Sequence, residues 1–168
     1  MCNLLILSTI FPNTFDPSAG TFVADQAAAL SKLCPSTVIA PVAIPPPFRK
    51  FRGERQLKYK IPRREENGYL IYRPRYIDFP RFSTYLNSYS MLTSVLRLAF
   101  RYKIKPDLIH CHFAYPAGYV GVLLGKLWKK PVFITVHGYD IHTFAQIPAV
   151  AGYRAHIAAA STHEYALV

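Results

Sequence analysis

The sequence has few acidic residues and few cysteines, and it has no long apolar run. Its three cysteines, Cys2, Cys34 and Cys111, are scattered without metal-ligand spacing, so no disulfide framework and no cysteine metal site is indicated. No stretch reaches the ~20 apolar residues typical of a membrane-spanning helix. The N-terminus also lacks the basic region of a secretory signal. These absences predict a protein of a reducing compartment, which we place in the cytoplasm.

Hydrophobic residues make up 51% of the 168 residues and charged residues 17%, which indicates a globular domain with a core.

The charge is concentrated in one part of the chain. The net charge is +11, and the stretch 49–75 holds ten Lys and Arg against three Glu, a net of +7 in 27 residues. Such a segment attracts polyanions, namely an anionic membrane surface, phosphorylated sugars or nucleic acid, or it is a solvated loop that keeps the domain soluble.

Short apolar runs alternate with longer amphipathic ones along the chain. Strands that are apolar throughout, separated by helices, predict a parallel sheet covered on both faces, which is a Rossmann-like, doubly wound α/β fold. One domain is expected over 1–168, with a basic insertion around 44–84. The predicted strands are 3–9, 36–42, 68–74, 107–112, 131–137 and 155–160, and the predicted helices are 21–33, 84–103, 117–130 and 161–168.

Two of these helices carry further expectations. The first helix is expected to pack one face against the sheet, formed by Phe22, Val23, Gln26, Ala27, Leu30 and Leu33. The last, 161–168, would be capped by Ser161 or Thr162 and has no closing element after it. We therefore expect the sequence to be part of a longer protein.

Polar residues follow several strands at the edge where ligands of open α/β sheets bind, which is the carboxyl end of the strands. Gly20 precedes the first helix, where free backbone N–H groups suit an anion, although a glycine there is also an ordinary turn residue. His110 and His112 alternate on one face of a strand, with Cys111 buried on the other. His137 ends the next strand. These histidines could bind a substrate hydroxyl or phosphate, or His110 could be an ordinary sheet residue.

Three stretches together resemble a known family. They are "STIFPNTFDPSAGTFVADQAAAL", "PDLIHCHFAYPAGYVGVLLGK" and "KPVFITVHGYDI". The combination is similar to the N-terminal domain of retaining glycosyltransferases of family 4, which have the two-domain GT-B fold. The resemblance implies transfer of a sugar from a nucleotide-sugar to a glycan or lipid-linked acceptor with retention, in polysaccharide or glycoconjugate synthesis. It also implies that no metal and no other cofactor is needed.

The resemblance also assigns roles to individual residues. It implies that His137 lies beside the reacting sugar and acts in catalysis, and that Gly138 and Asp140 share its loop. Gly20, with Thr21 beside it, corresponds to the loop near the donor phosphates, although Ala19 stands where a second glycine is common. His112 corresponds to a position that faces the cleft between the two domains of such enzymes. The basic insertion would meet a membrane through Arg49, Lys50, Arg52, Arg55, Lys58, Lys60, Arg63 and Arg64.

The donor-binding C-terminal domain of such enzymes is absent from the sequence, so these 168 residues are expected to be the acceptor-side half and inactive alone. Peripheral association with the inner face of the cell membrane is expected from the basic insertion. The alternative from another class is a non-catalytic module that binds a sugar or a nucleotide. Nucleic-acid binding is the weakest reading, because no known motif for it is present.

Overall fold

The computed structural model describes residues 2–46, 64–79, 84–137 and 165–167, with the backbone alone described for 64–66, 84–85 and 165–167. The predicted strand 155–160 lies outside these residues, as do Gly138 and Asp140. The basic residues 49–63 are outside them too, and the side chain of Arg64 is not described.

The described residues form nine strands, three α-helices and one π-helical turn. The strands are Leu4–Leu7 (β1), Ser36–Ile39 (β2), Val42–Ile44 (β3), Arg64–Glu66 (β4), Tyr69–Tyr72 (β5), Arg75–Ile77 (β6), Leu108–His112 (β7), Val132–Thr135 (β8) and Tyr165–Leu167 (β9). The helices are Thr21–Ser31 (α1), Thr84–Arg101 (α2) and Tyr119–Trp128 (α3), and a π-helical turn, Ala114–Gly118, comes directly before α3. None of the helices in this part of the chain is both long and apolar enough to cross a bilayer.

A seven-stranded sheet has the order β4-β5-β2-β1-β7-β8-β9, and every neighbouring pair is parallel except β4–β5. The predicted Rossmann-like α/β fold is therefore confirmed. Strands β3 and β6 form a separate two-stranded parallel sheet. The parallel order places the carboxyl ends of β5, β2, β1, β7 and β8 along one edge of the large sheet.

The two faces of the large sheet bury separate apolar clusters, because successive side chains of a strand point to opposite sides. Leu4 and Ile6 of β1 pack with Val23 and Ala27 of α1 on one face. The other face packs against α2 and α3 through Leu5, Leu7, Met91, Val95, Val120 and Leu124. The core is thus split by the sheet, as a doubly wound fold requires.

The expected strand 36–42 is wrong in its extent, because it breaks at Ala40–Pro41. Strand β2 ends at Ile39, and β3 begins at Val42 in the second sheet. Pro41 has no backbone N–H and cannot continue the ladder of the large sheet. The Val42 N–H donates to the Pro74 carbonyl instead, at 2.8 Å.

The helix predicted over 161–168 is also wrong, because Tyr165–Leu167 is strand β9 and pairs in parallel with Val132–Ile134 of β8. A local cap signal favoured the helix. The hydrogen-bonding edge of β8, which is distant in sequence, favours the strand, and such tertiary pairing overrides a weak local preference.

Helix α1 buries a narrower face than its periodicity predicts. Val23 and Ala27 are fully buried, whereas Phe22 is 42% exposed and Leu33 is 83% exposed. Leu33 lies beyond the end of α1 at Ser31, so it no longer follows the helical face. Phe22 points toward the edge of the sheet, where it contacts His137.

Candidate functional site

Strand β7 places its histidines and its cysteine on opposite faces. Cys111 is fully buried against α3, where Gly121 leaves space for its Sγ, and burial raises the pKa of the thiol. His110 and His112 point to the α1 face, with ring centroids 4.5 Å apart. The prediction that Cys111 is buried is confirmed, and the histidines form the polar part of the carboxyl edge.

Each histidine of β7 has a partner either in β8 or directly after it. The pairing register sets His112 beside Thr135. The Nε2 atom of His110 lies 2.8 Å from the Thr135 hydroxyl oxygen. The Nδ1 atom of His112 lies 3.4 Å from Nε2 of His137, so a proton on one of these nitrogens is donated to the other. The strand pairing thus brings together three histidines that the sequence separates.

The imidazole of His137 lies among three rings from different elements. It stacks on His112, with 5.6 Å between centroids and 17° between planes. The Phe113 ring lies 4.5 Å from it, and the Phe22 ring of α1 lies 4.7 Å from it. His137 is half-buried. The ring is therefore held in a defined orientation and still reaches the surface of the edge.

Phe113 reaches this position through an uncommon backbone conformation, φ 73° and ψ 137°. Its N–H donates to the Thr135 carbonyl at 2.9 Å, and its carbonyl accepts from the Gly118 N–H at 2.9 Å. A Cβ on Gly118 would lie 2.8 Å from that carbonyl oxygen. A positive φ at a phenylalanine is costly and persists only where the surroundings fix it. Sequence reasoning missed Phe113, and the glycine five residues later was the signal that could have indicated it.

Burial keeps the histidines of β7 neutral. His112 is fully buried, and its Nε2 has no hydrogen-bond partner among the described residues. Burial, then the neighbouring His110 and His137, lower the pKa of His112 to about 3. Burial, then His137, also lower the pKa of His110. Both rings are therefore uncharged at neutral pH, and they can act as hydrogen-bonding groups rather than as cations.

Gly20 begins α1 with a left-handed conformation, φ 66° and ψ 36°. A Cβ there would lie 2.6 Å from the carbonyl oxygen of Ile10, so only glycine fits without movement. The Ser8 hydroxyl fixes Ile10 by donating to the same carbonyl at 2.7 Å. Thr21 is exposed at the first position of α1. Because Phe22 contacts His137, this turn and the histidines share one site.

A cavity of about 430 Å³, here called the edge cavity, is lined in part by residues of the loop between β1 and α1. It opens over the carboxyl ends of β1, β2 and β5. Its lining includes Asn13, Phe15, Asp16, Pro41, Arg73 and Tyr76. Burial, followed by repulsion from Asp78 and Tyr115, raises the pKa of the Tyr76 hydroxyl, so it stays protonated.

The structure brings Gly20, Thr21, His110, His112 and His137 to one edge of the sheet. The described residues contain no group of three His, Cys, Asp or Glu side chains suited to a metal ion. The roles expected of Gly138, Asp140 and the basic residues 49–64 stay predictions, because those side chains lie outside the described part of the chain.

Comparison with known proteins identifies a family and two proteins that this chain resembles. The model of Glycosyltransferase Family 4 matches residues 19–164. TuaC of Bacillus subtilis (strain 168), whose name describes a glycosyltransferase of teichuronic acid biosynthesis, is 29% identical over 145 residues. That alignment covers 84% of this chain but only 37% of TuaC. The UDP-GlcNAc 2-epimerase of Neisseria meningitidis, solved with UDP-GlcNAc bound, has a similar fold, with a TM-score of 0.52 at 14% identity over 99% of this chain and 40% of the epimerase.

Proposed function

Because this chain belongs to Glycosyltransferase Family 4, we propose that the complete protein transfers a sugar from a nucleotide-sugar to a glycan or lipid-linked acceptor, with retention of the anomeric configuration. The described domain would bind the acceptor. A second domain, absent from these 168 residues, would hold most of the donor, and this chain alone would be inactive. The relationship to TuaC favours an acceptor in cell-surface polysaccharide synthesis.

The observation that carries this proposal is the enclosure of His137 by Phe22, Phe113 and His112 at the carboxyl edge. A ring fixed in this way can donate to or accept from a sugar hydroxyl without reorganising when substrate arrives. Preorganised polar groups of this kind stabilise charge that develops during group transfer. We therefore assign to His137 the contact with the reacting sugar.

His112 acts in this proposal through His137, because its ring is fully buried behind that histidine. The hydrogen bond between the two rings selects the tautomer of His137, just as a second hydrogen-bond partner does for other functional histidines. His112 is thus a positioning residue. The sequence led us to expect a direct substrate contact at His112, and we propose that His137 makes this contact instead.

The turn at Gly20 is proposed to approach the donor phosphates. The first N–H groups of a helix lack intrahelical partners and carry partial positive charge, which suits an anion. Gly20 has no side chain to shield them, and Thr21 presents its side chain to solvent beside them. Gly138 and Asp140 are proposed to contact substrate from the loop that follows His137.

Transfer and hydrolysis of a panel of nucleotide-sugars by the full-length protein test this function. His137→Ala is expected to lower kcat/KM by about 10²-fold or more, as removal of a preorganised polar group does in other enzymes. Phe100→Ala is the matched control, because Phe100 is 89% exposed on α2 and should leave the rate unchanged.

An unchanged rate in His137→Ala would contradict the assignment of that residue. A wild-type protein that binds nucleotide-sugars but neither transfers nor hydrolyses any of them would instead support the non-catalytic binding module.

Peripheral membrane association is proposed for the basic insertion, because residues 49–75 within it carry a net charge of +7. Each Lys or Arg near an anionic surface contributes about 1 kcal/mol, and salt screens this attraction. Flotation of the full-length protein with phosphatidylserine vesicles should show binding that high salt removes. Equal flotation with neutral phosphatidylcholine vesicles, or none with either, would contradict the proposal.

A further inference from the structure

We propose that the edge cavity binds a sugar unit of the acceptor other than the unit that reacts. This inference rests on the proposed transferase function. The cavity has a volume of about 430 Å³ and lies at the same edge of the sheet as His137, with residues of the β1–α1 loop in its wall. Its size is that of a small-molecule site.

The lining suits a sugar ring because it combines an aromatic face with planar polar groups. A pyranose presents C–H groups on its faces and hydroxyls around its rim. Phe15 is 55% exposed at the cavity wall, which leaves ring surface for an apolar sugar face to cover. Asn13, Asp16 and Arg73 supply donors and acceptors for hydroxyls. Both signs of charge are present, so the lining favours a hydroxylated ring over a simple anion.

The polar walls are fixed before a ligand binds. The guanidinium of Arg73 donates to the Pro12 carbonyl and lies over the Phe11 ring, 5.6 Å from its centroid. On the loop, the Asn13 side-chain oxygen accepts from the N–H groups of Phe15 at 2.9 Å and Asp16 at 3.0 Å. Groups that are already ordered lose little freedom on binding, which favours affinity for a small ligand.

The cavity and His137 are too far apart to contact one monosaccharide. His137 follows β8, and the cavity lies over β1, β2 and β5, so β8 is separated by three strand spacings from β2, the middle of these three strands. At about 4.8 Å per spacing, this is roughly 14 Å. An acceptor that reaches both places therefore contains more than one sugar unit, which predicts an oligosaccharide or a lipid-linked glycan chain.

Saturation-transfer NMR on the full-length protein tests the site directly, with methyl β-glucoside, methyl β-N-acetylglucosaminide and methyl β-glucuronide as probes and no donor present. At least one probe should show ring-proton signals in the wild type. Phe15→Ala is expected to weaken its binding about fivefold, the size of effect that a lost aromatic contact gives. Arg73→Lys, which keeps the charge but loses the planar fork, should weaken it as well.

Two control variants locate the bound sugar. Phe100→Ala, on an exposed position of α2, and His137→Ala should both retain the signal. Absence of signal from all three probes, or full binding by Phe15→Ala and Arg73→Lys, would overturn the inference. Signal that is lost only in His137→Ala would place the sugar at the histidines and would overturn it too. A protein that binds the probe in the cavity but transfers no sugar would contradict the proposed function alone.

Discussion

The two faces of strand β7 use neighbouring residues for different purposes. Cys111 points toward α3, where it is fully buried in an apolar cluster and its thiol stays protonated. His110 and His112 point toward α1, where they contact Thr135 and His137. One strand of five residues thus contributes packing on one face and polar chemistry on the other. Alternation alone makes this division, so a change on one face should leave the other largely unaffected.

The packed face should show the largest effect on stability. In Gly121→Ala the new methyl group would overlap with Sγ of Cys111, and overpacking of this kind costs about 1–3 kcal/mol. Urea unfolding of the variant should show this loss. The double variant Gly121→Ala with Cys111→Ala should recover most of it, because the smaller side chain frees the space. Additive losses in the double variant would show that the two residues do not compete for one space.

The histidine face should show its effect through pH. The pKa of His112 in the folded protein is lowered to about 3. The unfolded chain therefore binds more protons than the folded protein between about pH 3 and about pH 6.5. Stability is full above pH 6.5 and falls as the pH is lowered through this window, by up to about 1.4 kcal/mol per pH unit.

His112→Gln removes this titration, so its unfolding free energy should fall less steeply between pH 7 and pH 5 than that of the wild type. Some slope should remain, because the pKa of His110 is lowered as well. Identical slopes for variant and wild type, measured by urea unfolding, would show that His112 is not held neutral by the fold.

The smallest effect is expected at the hydroxyl beside His110. Thr135→Val removes the partner of His110 Nε2 and should cost about 1 kcal/mol, because the half-buried ring can regain part of the bond from water. Thr135→Ser keeps the hydroxyl and serves as the control. Equal unfolding free energies for the wild type and Thr135→Val would indicate that this bond contributes nothing to stability.

The sequence was informative where the structure follows local patterns. Continuous apolar runs predicted β1, β7 and β8, and the alternation in "HCH" placed His110 and His112 on one face. The hairpin of β4 and β5 was missed, although its turn, Asn67-Gly68, has the positive φ values that an Asn-Gly hairpin favours.

Features that depend on distant contacts could not be predicted. The burial of His112 and the enclosure of His137 require side chains from α1, from the end of β7 and from the end of β8 to meet. Strand β9 forms on an edge that β8 provides. Nothing in the local pattern around Phe22 distinguishes a core contact from a contact with His137.

The difference between the faces of β7 depends most directly on the charge state of His112. Long-range ¹H–¹⁵N correlation spectra of the protein labelled at histidine report the protonation of each ring nitrogen as the pH changes. With a pKa of about 3, His112 should remain neutral in one tautomer from pH 8 down to about pH 4. Protonation of His112 near pH 6.5, as in an exposed histidine, would contradict the account of a buried, neutral residue that positions His137.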